Sequence, residues 1–185
     1  MPIFCLRAES VRISFFEEFF MRKRSRFLAH SAIIAALYAV LCYFQNFIIP
    51  NSASWAIQLR AAEALCILAF FTPAAIPGLF VGCLIGNVFG GSILPDIIFG
   101  SFATLIGAFF THLLRKQSKY LAPLPPILAN TIIVPLVLRY AYGINLPIPF
   151  LMMTIGIGEV ISCGVLGMIV YAALEKYKYR IFKDL

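Results

Sequence analysis

Residues 27–44 read FLAHSAIIAALYAVLCYF and contain no aspartate, glutamate, lysine or arginine. At a rise of about 1.5 Å per residue, a helix of this length comes close to spanning the roughly 30 Å hydrocarbon core of a membrane. The stretch is preceded by a basic cluster of Arg22, Lys23, Arg24 and Arg26. Because basic residues accumulate on the cytoplasmic side of membrane helices, the pattern predicts a first span that begins in the cytoplasm.

Five further apolar stretches follow the first one. They cover residues 59–71, 78–88, 96–114, 121–138 and 150–174. Counted from residues 27–44 as the first, the fourth and the sixth stretches are each followed by a basic cluster. Six crossings place all three basic clusters on the same side of the membrane. The sequence therefore predicts an all-α fold, an integral membrane bundle of six transmembrane helices with both termini in the cytoplasm.

Domain organisation follows from the same pattern. We expect a cytoplasmic segment at residues 1–26, a membrane domain at residues 27–174 and a basic cytoplasmic tail at residues 175–185. The region before Met21 carries too many charges for a membrane span or the core of a signal peptide. It is either an amphipathic surface helix or an artefact of start-site choice, since Met21 is itself followed by basic residues.

Composition excludes several classes of protein. The 185-residue chain is 62% hydrophobic and 12% charged, against about 45–50% and about 25% for soluble domains. Its net charge of +7 comes mostly from clusters that flank apolar stretches, so it does not indicate nucleic-acid binding. The five cysteines show no CxxC spacing and indicate packing residues, not a metal site or a disulfide framework. Phosphate-loop, zinc-protease and nucleophile-elbow motifs are missing, which argues against an enzyme and against a cofactor.

Charged residues inside apolar sequence are the first candidates for a binding site. Arg60 and Glu63 are three positions apart on the second predicted span, so they share one helix face and can partly neutralise each other. They form either an ion pair that anchors the helix near the boundary or part of a ligand site. Ionisable groups within a membrane usually face a bundle interior, which favours the ligand site.

Other polar residues extend the candidate site. Glu159 lies within the last apolar run among glycines, and it is either a structural carboxyl group, a partner of Arg60 or Arg139, or a ligand contact. Asp96 follows Pro95, so a helix-capping role is favoured over ligand binding. Asn87 is either an interhelical hydrogen-bonding residue or a ligand contact. Trp55, the only tryptophan, belongs either to an interfacial aromatic belt or to a ligand-stacking surface.

Small residues in the first span follow a spacing that lets helices approach closely. Ala32 and Ala36 form one such pair, and Ala35 and Ala39 form a second. The pattern is common among membrane helices. By itself it gives only weak support for a partner protein.

Several longer motifs resemble a known family, the queuosine-precursor transporter (QueT-like) family of substrate-binding S components in energy-coupling factor (ECF) transporters. The likeness covers residues 27–174. It rests on QLRAAEAL at residues 58–65, IPGLFVGC at 76–83, DIIFGSFATL at 96–105 and the Gly158–Glu159 pair. The resemblance implies a six-helix subunit in a bacterial cytoplasmic membrane that captures a substrate from outside. It further implies a transmembrane coupling subunit with two ATPase subunits as partners, and docking through Ala32 and Ala36.

The implied substrate is a 7-deazaguanine, whose guanine edge presents N1–H and an exocyclic amine as adjacent donors. A carboxylate matches these donors with two hydrogen bonds. We therefore expect Glu63 or Glu159 to accept the hydrogen bonds from this edge. The other of these two acids, or Asp96, would form an ion pair with the ammonium group of aminated ligands. Arg60 would orient a carboxylate or meet the ring carbonyl. The alternatives are an S component for another vitamin, a membrane scaffold protein whose buried charges serve only packing, and a small membrane enzyme.

Overall fold

The computed structural model describes residues 3–48 and 60–178, with side chains described from Lys23 onward. Helices make up 84% of the structure, and no strand occurs within these residues. The first helix, α1, runs over Ile3–Ile48 and continues without a break through the predicted domain boundary at residue 26. Further along the chain come α2 (Ala61–Phe71), α3 (Ala75–Phe89), α4 (Leu94–Leu114), α5 (Leu124–Tyr140) and α6 (Ile148–Glu175). The all-α bundle of six helices is confirmed.

Not all of these helices are long enough to cross a membrane. Four qualify by length and composition, namely α1 from Lys23 onward, α4, α5 together with the preceding turn at Lys119, and α6. The other two, α2 and α3, are shorter apolar helices. With 15 residues, α3 is only about 22 Å long, less than the roughly 30 Å hydrocarbon core. Of the six predicted spans, four are therefore helices long and apolar enough to cross a membrane.

Two helices depart from regular α geometry, and they do so where they meet. The first turns of α2, Ala61–Ile67, form a tighter 3₁₀ helix, and the middle of α6, Val160–Leu166, forms a wider π helix. The Cys163 thiol donates to the Glu63 backbone carbonyl at 3.3 Å, which joins the two segments. Such irregular turns in a helix interior frequently mark functional positions.

Side-chain contacts define the two ends of the bundle. At one end, Ser31 donates to the Ala74 carbonyl at 2.9 Å and Thr111 donates to the Ala122 carbonyl at 2.8 Å. The described basic residues that precede the apolar part of α1, follow α4 and follow α6 belong to this end, among them Lys23, Arg115 and Lys176. At the other end, Asn46 donates to the Gly90 carbonyl at 2.9 Å. We call this second end the polar end, because the candidate site lies beneath it.

A row of glycines on α3 lets α1 pack against it closely. A Cβ atom on Gly82 would lie 2.7 Å from the Tyr38 Cβ and 2.9 Å from the Ala35 carbonyl oxygen. Gly78 and Gly86 face α1 in the same way, against Ser31 and Cys42. The glycine row therefore fixes the position of α1, including Tyr38, relative to the rest of the bundle.

The glycine row yields a stability prediction. We expect Gly82→Ala to lower the thermal stability of the purified protein, because the added methyl group overlaps backbone atoms of α1 and forces the helices apart. Overpacking of this kind costs about 1–3 kcal/mol. Thermal unfolding in detergent measures the effect. Gly156→Ala is the matched control, since its Cβ would be in ordinary contact, 3.5 Å from Thr131; equal Tm values for the two variants would contradict the prediction.

Candidate functional site

The centre of the candidate site is an ion pair between α2 and α4. Arg60 has an extended backbone just before α2 begins, and Asp96 lies in the first turn of α4. An Nη atom of Arg60 lies 3.7 Å from an Oδ atom of Asp96, too far for a good hydrogen bond. Both residues are buried, with 7% and 1% of their surface exposed. Both terminal nitrogens of Arg60 and Oδ1 of Asp96 lack a hydrogen-bond partner.

Asn87 on α3 joins this pair. A Cβ atom built on Gly100 would lie 3.4 Å from the Asn87 Nδ2, 3.5 Å from the Asp96 Oδ1 and 3.7 Å from the Arg60 Nη1. These three polar groups therefore converge over one face of α4, where the absence of a side chain leaves room. The Asn87 amide makes only a long contact of 3.5 Å with the Cys83 sulfur. We call Arg60, Asp96 and Asn87 the polar triad.

The polar triad borders a cavity and a tyrosine. The Tyr142 hydroxyl donates to the Asp96 Oδ2 at 3.1 Å, which leaves only Oδ1 free. A small cavity of about 30 Å³ lies next to Arg60 and Asn87, lined also by Tyr38, Cys42, Gln45, Asn46, Gly86, Gly90 and Ser92. Since this volume holds little more than one water molecule, a larger ligand would have to displace part of the lining.

Glu63 lies deeper in the bundle and is completely buried. Its Oε1 accepts hydrogen bonds from the Tyr38 hydroxyl at 2.5 Å and from the Thr104 hydroxyl at 3.2 Å. Its Oε2 accepts a hydrogen bond from the Cys66 thiol at 3.0 Å. The carboxylate is thus already satisfied by donors from three helices, unlike Asp96.

Glu159 approaches Glu63 from α6. The Cys163 sulfur lies 3.3 Å from the Glu159 Oε2, and a carboxylate oxygen of Glu63, a carboxylate oxygen of Glu159 and the Cys163 sulfur all lie within 4.8 Å of one another. The Asn130 carboxamide lies beside the Glu159 side chain, and neither of its polar atoms makes a close hydrogen bond. We call Glu63, Glu159, Cys66 and Cys163 the deep cluster.

Two expectations about individual residues were wrong, and one alternative for Glu159 is excluded. The ion-pair partner of Arg60 is Asp96, not Glu63, because Arg60 precedes the helix and does not share its face. Asp96 does not cap α4 but contacts Tyr142 and Arg60. Arg139 donates to Ile144 and Asn145, so it does not pair with Glu159.

Other predicted site residues have different outcomes. Asn87 and Glu159 are buried, and each approaches a charged residue of the predicted set. Trp55 lies outside the described residues. Sequence reasoning missed Tyr38, Thr104 and Tyr142, which contact the predicted charges. Their only mark in the sequence is a polar side chain within an apolar helix. Many residues with a purely structural role have the same mark.

The two alanine pairs of α1 face in different directions. Ala35 is buried against α3, as the close approach to Gly82 requires. Ala32 and Ala36 are exposed on the outside of the bundle. Large apolar side chains surround them on this face, including Leu28, Ile33, Leu37 and Val40. The same spacing thus serves internal packing in one pair and leaves the other pair uncovered.

An all-helical bundle with long apolar helices and ionisable groups buried between them has the construction of a multi-pass membrane protein that handles a polar solute. The family model for the QueT transporter matches residues 28–176, and the chain belongs to that family. It is therefore a membrane transporter protein with a small-molecule substrate. Among curated proteins and among solved structures, no match to the chain is found.

Proposed function

We propose that this protein is the substrate-binding S component of an ECF-type uptake transporter in a bacterial cytoplasmic membrane, and that it imports a 7-deazaguanine. The observation that carries the proposal is the polar triad, in which buried charged groups lack hydrogen-bond partners. Buried polar atoms are nearly always satisfied in proteins. Groups left open within a transporter are therefore candidates to receive the substrate.

The polar triad matches the edge of a guanine ring. That edge presents a carbonyl acceptor beside two donors, N1–H and the exocyclic amine. Arg60 supplies donors for the carbonyl, and the free Oδ1 of Asp96 accepts from the ring donors. Asn87 adds a carboxamide that can donate or accept. Glu63 was expected to bind this edge, but its carboxylate already accepts three hydrogen bonds within the protein. We therefore propose that Asp96 is the acid that accepts hydrogen bonds from the ring.

Orientation follows from charge. The described residues of the three basic clusters lie at the end of the bundle opposite the polar triad. Under the positive-inside rule that end faces the cytoplasm, and both termini lie there. The polar triad then faces outward, where an uptake protein receives its substrate.

Energy coupling is assigned to other subunits. The chain has no phosphate-binding loop, so we expect ATP hydrolysis in two partner ATPases that act through a transmembrane coupling subunit. The exposed Ala32 and Ala36 provide a surface on α1 where such a subunit can approach closely. No cofactor is required for this role.

Titration of the purified protein with 7-deazaguanines tests the proposal. We expect saturable binding of a 7-deazaguanine and binding of the corresponding 7-deazaadenine weaker by about 10⁴-fold, because its ring edge leaves Arg60 and Asp96 unpaired. Isothermal titration calorimetry measures both, with folding checked by gel filtration. Failure of the folded protein to bind any 7-deazaguanine would remove the substrate assignment. Binding of an unrelated vitamin instead would retain the S-component role with another substrate.

A further inference from the structure

The deep cluster has properties that the binding of a guanine ring does not explain. It brings two carboxylates and two thiols together inside the bundle, all of them buried. They come from the 3₁₀ segment of α2 and from the π segment of α6 together with the residue before it. The Cys66 thiol contacts the carboxylate of Glu63, and the Cys163 thiol contacts the backbone carbonyl of the same residue. Sequence reasoning treated these cysteines only as packing residues.

Charge balance indicates what the cluster lacks. Two carboxylates side by side in an apolar bundle repel each other and lose their hydration, which is costly unless they are neutralised. Arg60 is the basic group whose charge reaches both Glu63 and Glu159. That residue already forms its ion pair with Asp96. When both carboxyl groups are ionised, the deep cluster therefore has a deficit of positive charge.

We propose that the deep cluster binds a divalent metal ion of borderline softness, with Zn²⁺ as the best match. Glu63, Glu159 and Cys163 supply three ligands, and Cys66 supplies the fourth. Thiolate and carboxylate together are a ligand set that Zn²⁺ accepts, whereas Ca²⁺ and Mg²⁺ avoid sulfur. The proposal is separate from the proposed function, because the residues of the polar triad are not part of this ligand set.

Distances within the cluster bring three of the proposed ligands together, with the Cys66 sulfur beside one of them. With zinc–sulfur bonds of about 2.3 Å and zinc–oxygen bonds of about 2.0–2.2 Å, ligand atoms of a tetrahedral site lie roughly 3.3–3.8 Å apart. The Cys66 sulfur lies 3.0 Å from a Glu63 oxygen, and the Cys163 sulfur lies 3.3 Å from a Glu159 oxygen. The atoms of Glu63, Glu159 and Cys163 lie within 4.8 Å of one another. Small side-chain rotations would bring them to coordination distances.

Surrounding residues fit the same interpretation. Metal-ligating carboxylates are usually held by further hydrogen bonds, and Glu63 accepts such bonds from Tyr38 and Thr104. Asn130 lies beside Glu159 with both polar atoms unpartnered and with no exposed surface. It could fix the second carboxylate or bind a metal-bound water molecule. An ion in this position would tie α2 to α6 at their irregular turns.

Cobalt titration tests the metal site. The purified full-length protein is stripped of metal with a chelator under reducing conditions and titrated with Co²⁺, whose thiolate complexes absorb strongly in the near ultraviolet. We expect one equivalent of Co²⁺ to produce this absorption and Zn²⁺ to displace it. Cys163→Ser and Cys66→Ser should each reduce it by about half or more, whereas Glu159→Gln should weaken Co²⁺ binding by at least about 10-fold and keep the thiolate absorption.

Cys42→Ser is the matched control, because Cys42 is a free cysteine of α1 outside the deep cluster. This variant should bind Co²⁺ like the unchanged protein. The proposal is overturned if the folded protein gives no thiolate absorption, or if Cys42→Ser loses it as strongly as Cys163→Ser. Because Cys163→Ser leaves Arg60 and Asp96 in place, its binding of 7-deazaguanine reports on the proposed function separately.

Discussion

We expect Asp96→Asn to weaken binding of a 7-deazaguanine by about 100-fold or more, equivalent to at least about 2.7 kcal/mol. The substitution exchanges an anionic acceptor for a neutral amide, so both hydrogen bonds to the ring edge lose their charge-assisted character. It also leaves the buried Arg60 without its counter-charge. Calorimetric titration of the purified variant measures the loss.

A loss of folding must be separated from a loss of binding, since removing one partner of a buried ion pair is strongly destabilising, by about 3–5 kcal/mol. The double variant Arg60→Gln/Asp96→Asn removes both charges and restores neutrality. We expect its thermal stability to return toward that of the unchanged protein while its binding stays lost. Recovery of binding in the double variant would show that the ion pair serves only packing.

Glu175→Gln provides the matched control for this substitution. Glu175 is a carboxylate near the end of α6, where it accepts from the Tyr171 hydroxyl at 3.2 Å, far from the polar triad in the sequence and at the opposite end of the bundle. Its conversion to an amide should leave ligand affinity unchanged. Equal losses in Glu175→Gln and Asp96→Asn would mean that the effect is not specific to the site.

The helices were predictable because long apolar runs have few alternatives to a membrane bundle. Residues 96–114 and 150–174 are too apolar and too long for most other structures, and they correspond closely to α4 and α6. The short second and third helices were harder to assess. Turn signals at Pro73 and Gly90 mark where they end, but a sequence does not say whether a helix must cross the whole membrane.

The charged residues of the site were predictable, but their pairing was not. Arg60 and Glu63 share a face only if both lie on one α-helix, whereas Arg60 is extended and α2 begins as a 3₁₀ helix. The partner of Arg60 therefore comes from another helix, Asp96 of α4. Such a contact depends on how helices rotate against one another, and no spacing within one segment encodes that rotation.

The alanines of α1 show the same limit. Ala32/Ala36 and Ala35/Ala39 have identical spacing, and at about 100° per residue the two pairs point only about 60° apart on the helix, so spacing alone does not say which pair is buried. The glycine row of α3 selects Ala35 as the inward residue. The packed structure shows that Ala32 and Ala36, the pair singled out by the family resemblance, are the exposed ones.

We expect Ala32→Trp and Ala36→Trp each to reduce substrate uptake by about 10-fold or more while changing substrate affinity by less than about 2-fold. The indole ring would prevent close approach of the coupling subunit, and a steric clash discriminates against one partner without altering the rest of the protein. Both positions are exposed, so the new side chain does not disturb the bundle. Uptake of a labelled 7-deazaguanine by bacterial cells that contain the complete transporter measures the first quantity, and calorimetry on the purified variant measures the second.

Two tryptophan variants elsewhere make this test specific. Ala173→Trp places the same side chain at an exposed alanine of α6 and should leave uptake unchanged. Ala35→Trp places it at the buried position against Gly82 and should abolish both uptake and binding, because the protein no longer packs. Normal uptake in both Ala32→Trp and Ala36→Trp would exclude this face of α1 as the docking surface. If these two variants lost substrate affinity as well as uptake, the two alanines would belong to the residues that stabilise the bundle. A surface that only the coupling subunit contacts has no influence on substrate binding by the isolated chain.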